Sequence, residues 1–273
     1  MTAPASDGGA SAPAPSPRSW PSGRPEGARF LFVGGCQRSG TTEFTWILNA
    51  HPSIGLGMER FKRLARPRTV HRYRPELFDR MFAFDDGNTN VTPDAPEWDR
   101  FYRQLARKWP RLRIIGDKVP TFFGVYDRMA AAFPDARFVQ LIRNPLPVAG
   151  SWAGRARQGR ESWPAENDHL AGIRAWNEAN AAAVAMAEAR PERFLAVSYE
   201  WFFSGDRAAL DHVAGFLDLE MRADWATAYE RRTQHWDRRR ARRPALSAAE
   251  ADAVVAGIDW RAWEAVRALM RSA

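Results

Sequence analysis

The chain has 273 residues, a formal net charge of +8 at pH 7 and 45% apolar residues, enough for one sizeable core in a composition ordinary for a globular protein. Cys36 is the sole cysteine, which excludes an intrachain disulfide and fits a reducing, cytoplasmic location, and no uninterrupted apolar run reaches membrane-spanning length. The positive charge favours anionic ligands, but zinc-finger spacing, an RNA-recognition signature and a helix-turn-helix are all missing, so no specific nucleic-acid partner is expected.

In chain order, Met1 to Pro25 is rich in Ala, Pro, Ser and Gly and lacks an apolar h-region, so residues 1–28 read as a disordered leader and not as a signal peptide. Arg29–Val33 is the first predicted strand. It runs into Gly34-Gly35-Cys36-Gln37-Arg38-Ser39-Gly40-Thr41-Thr42 and then a predicted helix, Thr42 to Ala50, that His51-Pro52 ends. Strand, glycine-bearing turn and helix N-terminus in that order make a cradle for phosphate or sulfate. The Walker A pattern is unmet, because Thr41 stands where a lysine should follow Gly40. A basic stretch, Arg60 to Arg74, whose aromatic and basic mixture either lines a substrate mouth or is exposed surface, and a Gly/Asn/Pro-bearing loop or lid, Asp85 to Pro96, come next.

Further predicted elements are a helix from Glu97 to Lys108, a strand at Leu112–Gly116, a helix from Thr121 to Ala132 and a strand at Ala136–Ile142. Asn144-Pro145 offers an N-cap and an N1 proline for a helix running towards Ala156. A long helix, Asn167 to Arg190, a strand, Arg193–Val197, and a helix, Asp206 to Leu217, follow. The arginine cluster Arg238–Arg243 then precedes a terminal amphipathic helix, Ala248 to Met270. Alternating strands and helices predict an α/β, P-loop-type three-layer fold with a mainly parallel central sheet, whose ligands bind at the carboxyl ends of the strands.

Two of these segments carry a resemblance. Arg38-Ser39-Gly40-Thr41-Thr42 resembles the 5′-phosphosulfate loop, and Arg143 followed by Ser151 resembles the 3′-phosphate element, of the sulfotransferase superfamily that uses 3′-phosphoadenosine-5′-phosphosulfate (PAPS). The resemblance covers about residues 29–240 and implies one sulfotransferase-like domain over 29–273, with a C-terminal helical extension. It also implies PAPS as sulfonyl donor and PAP as product, with Arg38, Ser39, Gly40, Thr41, Thr42, Arg143 and Ser151 as donor contacts. Four of these have a plainer reading. The threonines cap or begin the helix, Arg143 pairs with a nearby carboxylate, and Ser151 bonds its own helix backbone.

In the branch that includes tyrosylprotein and carbohydrate sulfotransferases, a glutamate follows the loop-helix and a His-Pro break. The matching stretch, His51-Pro52-Ser53-Ile54-Gly55-Leu56-Gly57-Met58-Glu59-Arg60, implies Glu59 as the base that takes the acceptor hydroxyl's proton. The alternative is a surface glutamate paired with Arg60 or Arg63; His51 is a second candidate base, or a helix-end residue. Gly116-Asp117-Lys118-Val119-Pro120 resembles the strand-end segment that brings a lysine near the donor, which implies a catalytic Lys118 stabilising the leaving group. Otherwise Lys118 is a surface partner of Asp117. No histidine occurs between His71 and His169, unlike the histidine-base branch.

Val197-Ser198-Tyr199-Glu200 resembles a strand end near the nucleotide, so Tyr199 either orients the adenosine or adjoining backbone or is a core tyrosine. Thr233, Arg238, Arg239 and Arg240 fall where the family supplies late 3′-phosphate contacts, the alternative being a solvated arginine run. The expected acceptor is a glycan or a small hydroxylated metabolite, and the expected metal requirement is none. Trp152, Trp163 and Trp201 are candidates to approach the cleft, Trp46 and Trp176 to pack helices. No transmembrane association is expected, and the terminal helix is a candidate homodimer contact. The competing functional classes are a P-loop kinase or nucleotide hydrolase, and a noncatalytic nucleotide- or polyanion-binding protein.

Overall fold

A computed structural model describes residues 20–159, 163–234 and 246–270. Five strands, β1 (Arg29–Gly34), β2 (Ile54–Met58), β3 (Ile114–Lys118), β4 (Arg137–Ile142) and β5 (Phe194–Ser198), form one sheet in the order β2-β3-β1-β4-β5. All four pairings are parallel. The strands are buried along almost their whole length, as a sheet covered on both faces requires.

Side chains alternate along β1. Phe30 and Phe32 pack edge-on or tilted against Phe78 and Phe133 on one face. Leu31 and Val33 join Phe44, Leu48, Tyr199, Phe202 and Trp225 on the other. The first face is covered by the chain between β2 and β4, including α2 (Pro96–Lys108) and α3 (Tyr126–Ala132). The second is covered by α1 (Thr41–Ala50), α6 (Tyr199–Phe202), α7 (Arg207–Phe216) and α8 (Ala223–Gln234). A third cluster joins α4 (Pro145–Ala156) and α5 (His169–Ala189) to the C-terminal helices, with Trp176 against Trp263. Among the described residues no helix is long and apolar enough to cross a membrane.

The observed boundaries correct several expectations. The third strand starts two residues late and ends at Lys118, because Leu112 closes a 3₁₀ turn and Ile114 is the first residue paired with β1. The segment Pro120–Val125 is 3₁₀, and the α-helix begins only at Tyr126, since Val125 has a non-helical backbone. The terminal helix is two helices, Ala248–Ala256 and Trp260–Leu269. Gly257 ends the first, and the Asp259 carboxylate caps the second at Ala262 N. Asn144 stands at the N-cap of α4, but its side chain makes no capping bond. Strand β2 and helix α8 were not expected.

Gly116 fixes how closely β1 and β3 approach: a Cβ there would lie 1.7 Å from the Leu31 carbonyl oxygen. Only backbone movement relieves that clash. Gly116→Ala should therefore cost about 2 kcal/mol or more in urea unfolding. Gly215→Ala, in α7 with open space around its Cβ, should be neutral or gain about 0.5 kcal/mol.

Candidate active site

Because all five strands run the same way, their carboxyl ends lie along one edge of the sheet. The register sets Val33 beside Lys118 and Lys118 beside Met58, so the loop after β1, the end of β3 and the turn after β2 meet. The Gly34–Gly40 segment bends there through positive φ at Gly35, Arg38 and Gly40. Gly40 has φ 90° and precedes α1 with no side-chain cap on the first-turn N–H groups. Those donors are left for an anion. A Cβ on Gly40 would meet the Tyr199 ring at 2.6 Å, so close packing as well as backbone conformation demands glycine there.

The second basic element closes on the first. Arg38 Nε donates to Ser151 Oγ at 2.9 Å, and Arg143 Nη1 donates to the Arg38 carbonyl at 2.8 Å. Trp152 Nε1 donates to Gln37 O, and Trp176 Nε1 to Arg143 O, so two indoles brace the arrangement from below. The Arg143 guanidinium lies 4.3 Å from the Tyr199 ring centroid. Burial pulls Arg38 down to about 10, with repulsion from Arg155 and Arg143 adding to it. A bound anion relieves that repulsion.

On the other side, Lys118 is buried and its Nζ bridges Glu59 Oε1 at 2.8 Å and Thr42 Oγ1 at 3.2 Å. Glu59 Oε2 faces Lys62 Nζ at 3.4 Å. Burial pushes the Glu59 carboxyl up, but attraction to Lys118 and then Lys62 outweighs it, so the group sits below its ordinary value. Glu59 has φ 54°, and its N–H donates to Lys118 O at 2.8 Å. The next two N–H groups, of Arg60 and Phe61, donate to the wholly buried Asp117 carboxylate at 3.0 and 2.8 Å, and the Tyr73 hydroxyl lies 3.3 Å from it. Asp117, pushed up to about 6 by burial against those donors, thus holds the turn that presents Glu59. The plainer pairings proposed for these residues are replaced. Lys118 pairs with Glu59 and not with Asp117, and Glu59 pairs with lysines and not with Arg60 or Arg63.

Arg38, Gly40, Thr41, Thr42, Glu59, Arg143 and Ser151 line one cleft of about 1230 Å³. Lys118 reaches it from beneath through Glu59 and Thr42. Ser39, within the loop, and Tyr199, against it, are buried and are not among the cleft's lining residues; among the described residues the Ser39 hydroxyl has no hydrogen-bond partner. Thr233 spends its hydroxyl on Tyr229 O and Glu230 O in its own helix, and Arg238, Arg239 and Arg240 lie outside the described residues. His51 is buried against Trp225, with Nδ1 accepting from Ser53 N, at the far end of α1. Of the candidate tryptophans, Trp163 lines the cleft, Trp152 supports the loop and Trp201 bonds Asp206 instead.

Lys62 and Arg66, from the basic stretch Arg60 to Arg74, line the cleft, as a substrate mouth would require, whereas Arg155 and Asp117 escaped the sequence reading as site residues. Arg155 had a usable signal, since it lies four residues after Ser151 on the same helical face.

The family model described as "Sulfotransferase family" matches residues 31–224. The chain belongs to the sulfotransferase family. No curated protein matches the sequence. Among solved structures, the sulfotransferase domain of the Synechococcus PCC 7002 olefin synthase aligns at 18% identity, over 90% of this chain and 95% of that one, with a TM-score of 0.52. The sulfotransferase domain from the curacin biosynthetic pathway aligns at 17% identity over 74% and 78%, TM-score 0.49. Sulfotransferase STF9 from Mycobacterium avium aligns at 15% over 78% and 68%, TM-score 0.47. The first of these supports the fold of this sulfotransferase, a parallel sheet between helices.

Replacing Lys118 with Met removes the nearest cation and leaves burial as the main influence on Glu59. The Glu59 carboxyl should then titrate higher than in the unmodified enzyme. Carbon NMR of glutamate-labelled protein, with Glu59→Gln to assign the resonance, reads the shift. An unmoved midpoint would show that Lys118 does not control this group.

Proposed function

We propose that this sulfotransferase takes the sulfonyl group from PAPS, with Glu59 as acceptor base, and that residues 29–273 act as one unit in doing so. The observation that supports it most is the convergence of the two basic elements, joined through Arg38–Ser151 and Arg143–Arg38, on the cleft that also holds Glu59. The lining fits a doubly phosphorylated donor. Arg155 and Arg143 both repel Arg38, and the first turn of α1 offers uncapped N–H groups. Ser151 lies within reach of the same guanidinium. In this reading the loop residues 38–42 receive the phosphosulfate end and Arg143 with Ser151 the 3′-phosphate, while Ser39 and Tyr199 support them from below.

The donor supplies an electrophilic sulfur bonded to a phosphate oxygen. An acceptor hydroxyl oxygen forms the new O–S bond opposite that oxygen, its proton passes to a Glu59 carboxylate oxygen, and the S–O bond to phosphate breaks with its electron pair leaving on PAP. Glu59 is ionised throughout the neutral range because its pKa is lowered, which makes it competent to accept. Lys118 and the N–H groups of the loop compensate the charge that develops on the leaving oxygen. As that proton arrives, Glu59 loses its charge and Lys118 is freed to turn wholly to the leaving group. The acceptor in this reading is a glycan or a small hydroxylated metabolite.

Incubation with PAPS and a panel of hydroxylated acceptors should yield products heavier by one sulfonyl unit, together with stoichiometric PAP. Glu59→Gln should lower kcat by about a hundredfold or more while PAP affinity, measured by calorimetry, stays near that of the unmodified enzyme. Arg38→Ala with Arg143→Ala should weaken PAP binding by about a hundredfold, as expected for two charge-assisted contacts. Full turnover in Glu59→Gln would remove Glu59 as base. Unchanged PAP affinity in the double variant would remove the donor reading.

The pH dependence follows from the same carboxylate. Activity requires ionised Glu59, so kcat should fall only as pH drops below about 4.3, the ordinary glutamate value, and not near neutrality. A falling acid limb centred near pH 6 would instead mark another group, Asp117 being the nearest candidate.

A further inference from the structure

We infer that the acceptor carries an anionic group close to its reacting hydroxyl, a carboxylate or a phosphate, and that Lys62 and Arg66 receive it. The inference rests on Glu59 acting as base. Its two oxygens are not equivalent: Oε1 is held by Lys118, which reaches back to Thr42 at the donor loop, whereas Oε2 faces Lys62. A hydroxyl that delivers its proton to Oε2 therefore arrives beside the Lys62 ammonium and away from the donor loop.

Arg66 lies four residues further along the same segment and lines the same cleft. It is exposed, and among the described residues its guanidinium makes no hydrogen bond or ion pair. Its neighbours are committed elsewhere. Arg60 is wrapped by Met81 O, Arg80 O, Ala83 O and Asp86, and Arg63 donates to Gly87 O. The acids of the cleft do not neutralise this wall. Glu43 is paired with Arg232, Glu59 is shared by two lysines, and Glu178 belongs to α5, which packs on α4. Two cations thus stand on the acceptor side of the base with, among the described residues, only Glu59 as paired counter-charge. A cationic acceptor would meet like charge there, a neutral one would leave the wall uncompensated, and an anionic one completes it.

The test uses para-substituted phenols of similar size and different tail charge: hydroxyphenylacetate, hydroxyphenyl phosphate, ethylphenol and tyramine. A sugar series of glucuronate, a glucose phosphate, glucose and glucosamine runs beside it. With PAPS as donor, kcat/KM should favour the anionic members over the neutral one by about fivefold or more, with the amines poorest. The comparison of carboxylate with phosphate tells which anion fits. Arg66→Glu should reverse the order, so that the amine gains over the anion, a change that loss of folding cannot produce. Dissociation constants for the same compounds, by calorimetry on the free enzyme, read the preference without turnover. Loss of PAPS-dependent transfer would therefore sink the proposed reaction without hiding the answer here. Equal or better binding of the neutral or cationic members, no binding of the anionic ones, or an order unchanged by Arg66→Glu would overturn the inference.

Discussion

The Lys118 ammonium, held between Glu59 Oε1 and Thr42 Oγ1, joins three separate pieces of chain: the end of β3, the turn after β2 and the start of the helix that follows β1. A buried lysine is stable in its charged form only with a partner, and Glu59 is that partner. The same pairing holds Glu59 ionised against the opposing influence of burial. Breaking it would leave a buried cation at one end and a carboxylate of raised pKa at the other. The site's geometry and its protonation state therefore have one origin.

The parallel sheet makes this junction possible. Register sets Lys118 between Val33 and Met58, and the backbone hydrogen bond from Glu59 N to Lys118 O extends the β2–β3 ladder one step beyond the strand. At that point Asp117 gathers the next two N–H groups, which compensates the turn for the partners it loses on leaving the sheet. Two adjacent residues of β3, pointing to opposite faces, thus serve one turn: Asp117 shapes it and Lys118 pairs with the side chain it presents. The arginine-lined half of the cleft is built on a different principle, concentration of like charge. Arg38, Arg143 and Arg155 are crowded together by Tyr199, Trp152 and Trp176, an arrangement suited to a multiply charged anion.

Much of this was legible in the residues. The apolar run before Gly34 and the break at His51-Pro52 bracket β1, its loop and α1 closely, because hydrophobic burial and proline sterics act locally. The association of Arg38 with Ser151 and Arg143 was implied by resemblance alone, since no local rule joins residues a hundred positions apart. Strand β2 stayed hidden because Gly55 and Gly57 dilute its apolar pattern, although every residue in it is buried. The break in the terminal helix depends on packing, with Gly257 set against Ile173 and Asn177 bonded on both sides of it. The function of Asp117 was illegible for a similar reason: its partners are backbone N–H groups from a turn fifty-odd residues away, and the sequence shows only an acid next to a lysine.

The most direct measurement is a crystal structure of the enzyme with PAP bound. The 5′-phosphate should lie on the N–H groups and hydroxyls of residues 38–42, the 3′-phosphate on Arg143 and Ser151, and Lys118 should be drawn from Glu59 towards the 5′-phosphate. PAP seated on another surface, with the Arg38–Ser151 and Lys118–Glu59 contacts undisturbed, would contradict it.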